Sequence, residues 1–134
     1  MDKLEFLLAF DGNCAEVLEF YAKVFDTKPG QITKYGDGPS DRQIPGFENK
    51  IMYSDMIIGS ENVMFSDAPP HGAPFVAGNN FCMSYRSKDF DKLHRIFDAL
   101  SGGGTVIMPL QKTFFSELYG MVIDKFGIAW NVMV

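Results

Sequence analysis

The chain has 134 residues, 46% of them hydrophobic and 22% charged, which suits one globular domain whose core needs no disulfide or metal to hold it. With 17 acidic against 12 basic residues the net charge is -5, and this argues against nucleic acid or an anionic membrane as the main partner. No apolar run approaches a membrane span. Met1-Asp2-Lys3 leads straight into a strand without secretory anatomy, and Cys14 and Cys82 lack metal-type spacing, so the expectation is a cytoplasmic protein with free thiols.

Residues 4–10 are almost uniformly apolar and short enough for a buried strand. After the Asp11-Gly12 turn, Asn13 is placed to cap a helix, with Glu16 completing a capping box. Val17, Leu18, Tyr21, Val24 and Phe25 then form one helical face, and the helix stops before Pro29-Gly30. Residues 31–35 read as an edge strand. Residues 36–48, rich in Gly, Pro and charge, read as a long irregular loop of the kind that serves as a surface loop or a lid. Residues 50–58 and 62–65 form a hairpin about Gly59-Ser60. Residues 68–79, rich in Pro, Gly and Ala, read as a linker.

The second half repeats this order. Residues 81–85 are a strand, and Ser87 or Asp89 caps a helix whose apolar face is Phe90, Leu93, Phe97 and Leu100. Gly102, Gly103 and Gly104 end that helix; a glycine run that follows a helix is a C-cap and not a phosphate cradle. Residues 105–108 are a strand closed by Pro109, and residues 111–118 a polar and aromatic connection. Residues 119–123 and 128–134 form a final hairpin around Asp124 to Gly127, with Trp130 in its second arm. Two modules, 1–67 and 80–134, therefore share the order strand, helix, three strands. Each exposes an apolar sheet face away from its helix. The expected fold is α+β, with two βαβββ modules paired as an incomplete barrel around an open cleft.

Four stretches carry a family resemblance: FDGNCAEVLEFYAKVFDTK (10–28), IMYSDMIIGSENVMFSD (51–67), ALSGGGTVIMPLQKTFF (99–115) and the C-terminal MPLQKTFFSELYGMVIDKFGIAWNV. The chain resembles the PhnB-like branch of the vicinal-oxygen-chelate superfamily, which includes glyoxalases, bleomycin- and fosfomycin-resistance proteins and extradiol dioxygenases. Phe115 stands where that branch usually has tryptophan. The resemblance implies the paired βαβββ fold and a homodimer. Metal-dependent members place four ligands on inward strand positions. Carried over, these fall near Phe6, on Tyr53, near Asn80 and on Asn131, a set without the carboxylate and imidazole donors a divalent ion wants. The expectation is thus no metal and no cofactor. Glu5 and Asp55 neighbour these positions, and strand alternation is expected to turn them to the opposite face.

No nucleophile–base arrangement is visible. His71 and His94 read as surface histidines, and Asp67 and Asp124 as turn or cap residues. What remains for the cleft is aromatic and amide: Phe6, Tyr53, Phe114, Phe115, Tyr119 and Trp130, with Gln111 and Asn131. Of these, Tyr53, Gln111, Phe6, Phe115 and Asn131 are the expected contacts to a small, partly apolar ligand. Trp130, one residue from Asn131, is expected on the other face, packed beneath the second helix against Leu93 or Phe97. The alternatives are a lyase- or dioxygenase-type enzyme with an altered metal site, a metal-free catalyst using Tyr53 and Gln111, and a structural dimerisation module. A methyltransferase activity, attached by name to part of the resembled family, finds no S-adenosylmethionine-type glycine loop here.

Overall fold

In the computed structural model, which describes residues 1–134, the first apolar run forms β1 (Phe6–Phe10). It leads into α1 (Cys14–Val24), whose buried face is Cys14, Val17, Leu18, Tyr21 and Val24. Asn13 makes no side-chain cap, so the expected capping box is absent. The first helical amide, Cys14 N, instead donates at 2.9 Å to Asp67 Oδ1, 53 residues away. The buried Asp67 carboxylate also accepts from Ile51 N at 2.8 Å. An anion at the positive end of a helix is favourable, and here a distant strand supplies it. At the other end Asp26 adopts a φ of 50°, and Thr27 N reaches Ala22 O at 3.0 Å. This left-handed cap ends the helix before Pro29.

The edge strand β2 shrinks to Thr33–Lys34, followed by short 3-10 turns at Tyr35–Asp37 and Ser40–Arg42. The loop is pinned by its own side chains. Gln43 Nε2 donates to Gly38 O at 2.9 Å, Tyr35 and Phe47 have ring centroids 5.0 Å apart, and Tyr35 Oη donates to Asp67 O at 2.8 Å. β3 (Ile51–Ile58) and β4 (Glu61–Asp67) form the expected hairpin. Its two-residue turn has Gly59 at φ 63°, the positive φ that a first-position glycine supplies in a type II′ turn. The sheet order is β1-β4-β3-β2, with β1 parallel to β4. α1 lies against β3 and β4. Phe10, Tyr21 and Phe65 form the aromatic centre of this core, with Tyr21 and Phe65 centroids 6.0 Å apart.

The second unit runs through β5 (Cys82–Arg86), α2 (Phe90–Ser101), β6 (Thr105–Gln111), β7 (Tyr119–Ile123) and β8 (Ala129–Met133), in the sheet order β5-β8-β7-β6. Asp89 caps α2 by accepting from Lys92 N at 3.1 Å. The buried face of α2 is Leu93, Ile96, Phe97 and Leu100. Ile96 takes the place expected for Phe90, which is exposed at the first helical position. Gly103, at φ 73°, follows the helix as a left-handed residue. β6 does not stop at Pro109: it continues to Gln111 with register shifts along the way. As an edge strand it tolerates a residue without an N–H. Gln111 is therefore a strand residue and not part of a connection. The chain divides into two compact units, Met1–Phe75 and Val76–Val134, and residues 68–79 carry no regular secondary structure.

Candidate functional site

Each sheet has one side against its helix and one side away from it. In the first unit the α1 side carries Leu8, Phe10, Ser54, Met56, Val63 and Phe65, all buried. Phe6 shares the parity of Leu8 and Phe10 and pairs with Val63, so it belongs to the α1 side. Tyr53 lies on the other side. The structure does not bring these two expected ligand residues together.

Asp55 corrects the sequence reading, whereas Glu5 lies on the face opposite Phe6 as alternation requires. Asp55 is two residues from Tyr53, so alternation keeps them on one face, and Tyr53 Oη donates to Asp55 Oδ2 at 3.3 Å. Asn62 Nδ2 donates to Glu5 Oε2 at 2.8 Å and to Asp55 Oδ2 at 3.4 Å. The result is one polar chain of Tyr53, Asp55, Asn62 and Glu5. Gly30 N donates to Asp55 O at 2.8 Å, and a Cβ on Gly30 would fall on Asp55 Oδ1. Desolvation, then the Asp55 and Glu5 charges, push the Tyr53 phenol above its ordinary pKa. Tyr53 is thereby a proton-keeping donor and not a base. At the hairpin end of this face is a depression of 390 Å³ whose lining includes Leu4, Glu5, Ile57, Glu61 and Asn62.

In the second unit Trp130 and Asn131 part as expected. Trp130 is 1% exposed on the α2 side and donates from Nε1 to the buried Asp124 Oδ2 at 2.9 Å. Gly120 shares that side and comes so close to the helix that a Cβ there would meet Phe97 at 2.7 Å. Asn131 lies on the face away from α2, paired with Ser84 on β5 and Met121 on β7. Tyr119 Oη donates to Asn131 Oδ1 at 2.9 Å, and Asn131 Nδ2 donates to Ser84 Oγ at 3.3 Å. The Phe115 ring stands edge-on to Tyr119, with centroids 5.0 Å apart, and Phe114 is edge-on to Phe115. Gln111 pairs with Tyr119 across the ladder. Three expected ligand residues, Gln111, Phe115 and Asn131, thus gather around Tyr119. Burial raises the pKa of the neighbouring Cys82 thiol, opposed by a hydrogen bond from the Asn131 backbone.

The donors do not suit a tightly held divalent ion. Within neither unit do three or more His, Cys, Asp or Glu side chains gather as ligands. Glu5 and Asp55 are bridged by an amide without an imidazole nearby, and Asn131 Oδ1 is engaged by Tyr119. His71 and His94 are exposed. Nor is there a cradle for a nucleotide-type cofactor, since the glycine run follows α2 and does not precede a helix. No helix is long and apolar enough to cross a membrane.

A family model described as 3-demethylubiquinone-9 3-methyltransferase matches residues 2–133. The chain belongs to this family. Among solved structures, protein PA1353 from Pseudomonas aeruginosa is 31% identical, with a TM-score of 0.88 over 99% of this chain and 97% of that one. A Bacillus cereus protein described as a putative 3-demethylubiquinone-9 3-methyltransferase, PhnB protein, is 24% identical and shares the fold, with a TM-score of 0.79 over 98% of both chains. Protein YjdN of Escherichia coli (strain K12) is 29% identical over 138 residues, covering 95% of this chain and 91% of its own length. These matches establish the α+β glyoxalase/bleomycin-resistance fold for this chain.

Proposed function

We propose that this PhnB-like protein binds a small, partly apolar, planar molecule without a tightly bound metal. The observation that supports the reading is the face of the second sheet away from α2. There exposed Phe115 and Met108 adjoin a neutral phenol–amide–hydroxyl chain of Tyr119, Asn131 and Ser84. Aromatic surface with a few fixed polar groups suits such a ligand. Gln111, Phe115 and Asn131 are its proposed contacts, all in the second unit, and Tyr53 is kept as a separate candidate contact on the first sheet. Phe6 is left out because it shares the α1 side.

A second reading, a lyase- or dioxygenase-type enzyme with an altered divalent-metal site, draws on the two carboxylates Glu5 and Asp55 beside Tyr53. Metal analysis of the purified protein, with melts before and after EDTA, separates the two. The first reading expects no stoichiometric divalent ion and an unchanged melting temperature. A fall of several degrees on chelation supports the second, because a bound ion contributes linkage stabilisation. We also propose a homodimer, since β6 leaves an exposed edge with Val106, Ile107 and Met108 and two-fold dimers are the commonest oligomers. Sedimentation showing only a 15.0 kDa species at micromolar concentration would count against it.

A further inference from the structure

Asn131 has two hydrogen-bonding neighbours, and they differ chemically. The Tyr119 phenol is a stronger donor and a weaker acceptor than the aliphatic hydroxyl of Ser84, because its oxygen lone pair is delocalised into the ring. Tyr119 therefore takes the amide oxygen, at 2.9 Å, and Ser84 takes one amide N–H, at 3.3 Å. After these bonds are made, the second amide N–H of Asn131 and the O–H of Ser84 remain. Both are donors. Strand alternation from Ser84 and Asn131 also places Arg86, Tyr119, Met121, Met108 and Gln111 on this face, and no Asp or Glu.

We propose that Tyr119 determines the ligand specificity of this face. By holding Asn131 Oδ1 it fixes the amide so that Asn131 presents its free N–H, and this point of the face favours planar aromatic molecules that carry a hydrogen-bond acceptor. The idea rests on the ligand site proposed above and goes beyond it by naming the ligand chemistry and the residue that sets it. Tyr119 is a positioning residue acting through Asn131. Without its hydroxyl the amide is free to turn by 180° and present its oxygen instead.

Three bicyclic probes of similar shape make the test: quinoline, which accepts; indole, whose N–H donates; and naphthalene, which does neither. Binding is followed through the labelled methyl groups of Met108 and Met121, which report on this face. The wild-type protein is expected to bind quinoline about fivefold more tightly than indole, the effect of one neutral hydrogen bond. In Tyr119→Phe that preference is expected to fall within about twofold of unity, with naphthalene affinity unchanged. A loss of folding or of aromatic surface would weaken all three probes together. Ser84→Ala, at an exposed position, removes one donor without touching Tyr119 and is expected to reduce the preference in part. Persistence of the full preference in Tyr119→Phe, or a wild-type preference for indole, overturns the proposal and leaves the ligand site standing. If no probe shifts the two methyl groups, the ligand site itself is refuted and the proposal with it.

Discussion

Replacing Trp130 by phenylalanine isolates one bond in the second core. The side chain is 1% exposed, and its Nε1 donates at 2.9 Å to Asp124 Oδ2. Asp124 is itself buried, and its Oδ1 accepts from Phe126 N at 2.9 Å and Ile128 N at 3.1 Å. Phenylalanine keeps an aromatic ring in place but removes the N–H and part of the indole. A hydrogen bond to a charged group contributes about 1.5–3 kcal/mol. The lost volume, roughly 40 Å³ at ~24 cal/mol per Å³, adds about 1 kcal/mol. Trp130→Phe should therefore cost about 2.5–4 kcal/mol in urea melts. Asp124→Ala loses the turn bonds as well, so the informative quantity is the double-mutant coupling. That coupling should exceed ~1 kcal/mol, since both variants break the same bond. Additive losses, with Trp130→Phe costing under ~1 kcal/mol, would refute the reasoning and reduce the indole N–H to a bystander.

Gly120→Ala should destabilise by about 1–3 kcal/mol through overpacking, because its Cβ would lie 2.7 Å from the Phe97 ring and 3.0 Å from Leu110; a melt equal to wild type would mean that α2 shifts freely over β7. The Cys14 thiol is held protonated by burial and then by the Asp67 charge, with its pKa raised from 9.0 to about 12. The unfolded chain releases this proton as pH passes 9 while the folded chain keeps it, so the stabilisation present below pH 9 is lost as pH rises towards 12. Melting temperatures between pH 8 and 11 should accordingly fall more steeply for wild type than for Cys14→Ala, and parallel slopes would contradict this.

Much of the fold was legible because local signals agreed with the final packing. The Gly59-Ser60 turn, the Asp89 cap and the stripe of α1 all depend on near neighbours. The failures came where a distant residue decided. Asn13 looks like a cap, yet Asp67 holds the helix start, and no local pattern announces a partner 53 residues away. Pro109 looks like a strand end, but the position of β6 at the sheet edge removes the penalty. The misplacement of Asp55 was avoidable, since two residues along a strand return to the same face. Tyr119 also had a legible signal. The Asp124 to Gly127 turn sets a register that pairs Tyr119 with Met133 and Met121 with Asn131, so Tyr119 lies diagonal to Asn131 and within reach of a long side chain. Reading the hairpin register, and not only its arms, finds that pair.

The two helices begin under different jurisdictions. α2 is started by Asp89, a residue of its own approach, so no strand side chain enters its cap. α1 is started by Asp67, whose carboxylate simultaneously holds the first residue of β3. A loosened β3–β4 hairpin is therefore felt at once at the first turn of α1, and these elements open as one cooperative unit. Substitutions in that hairpin carry their consequences across the first unit, whereas the cap of α2 takes no side chain from the sheet it covers.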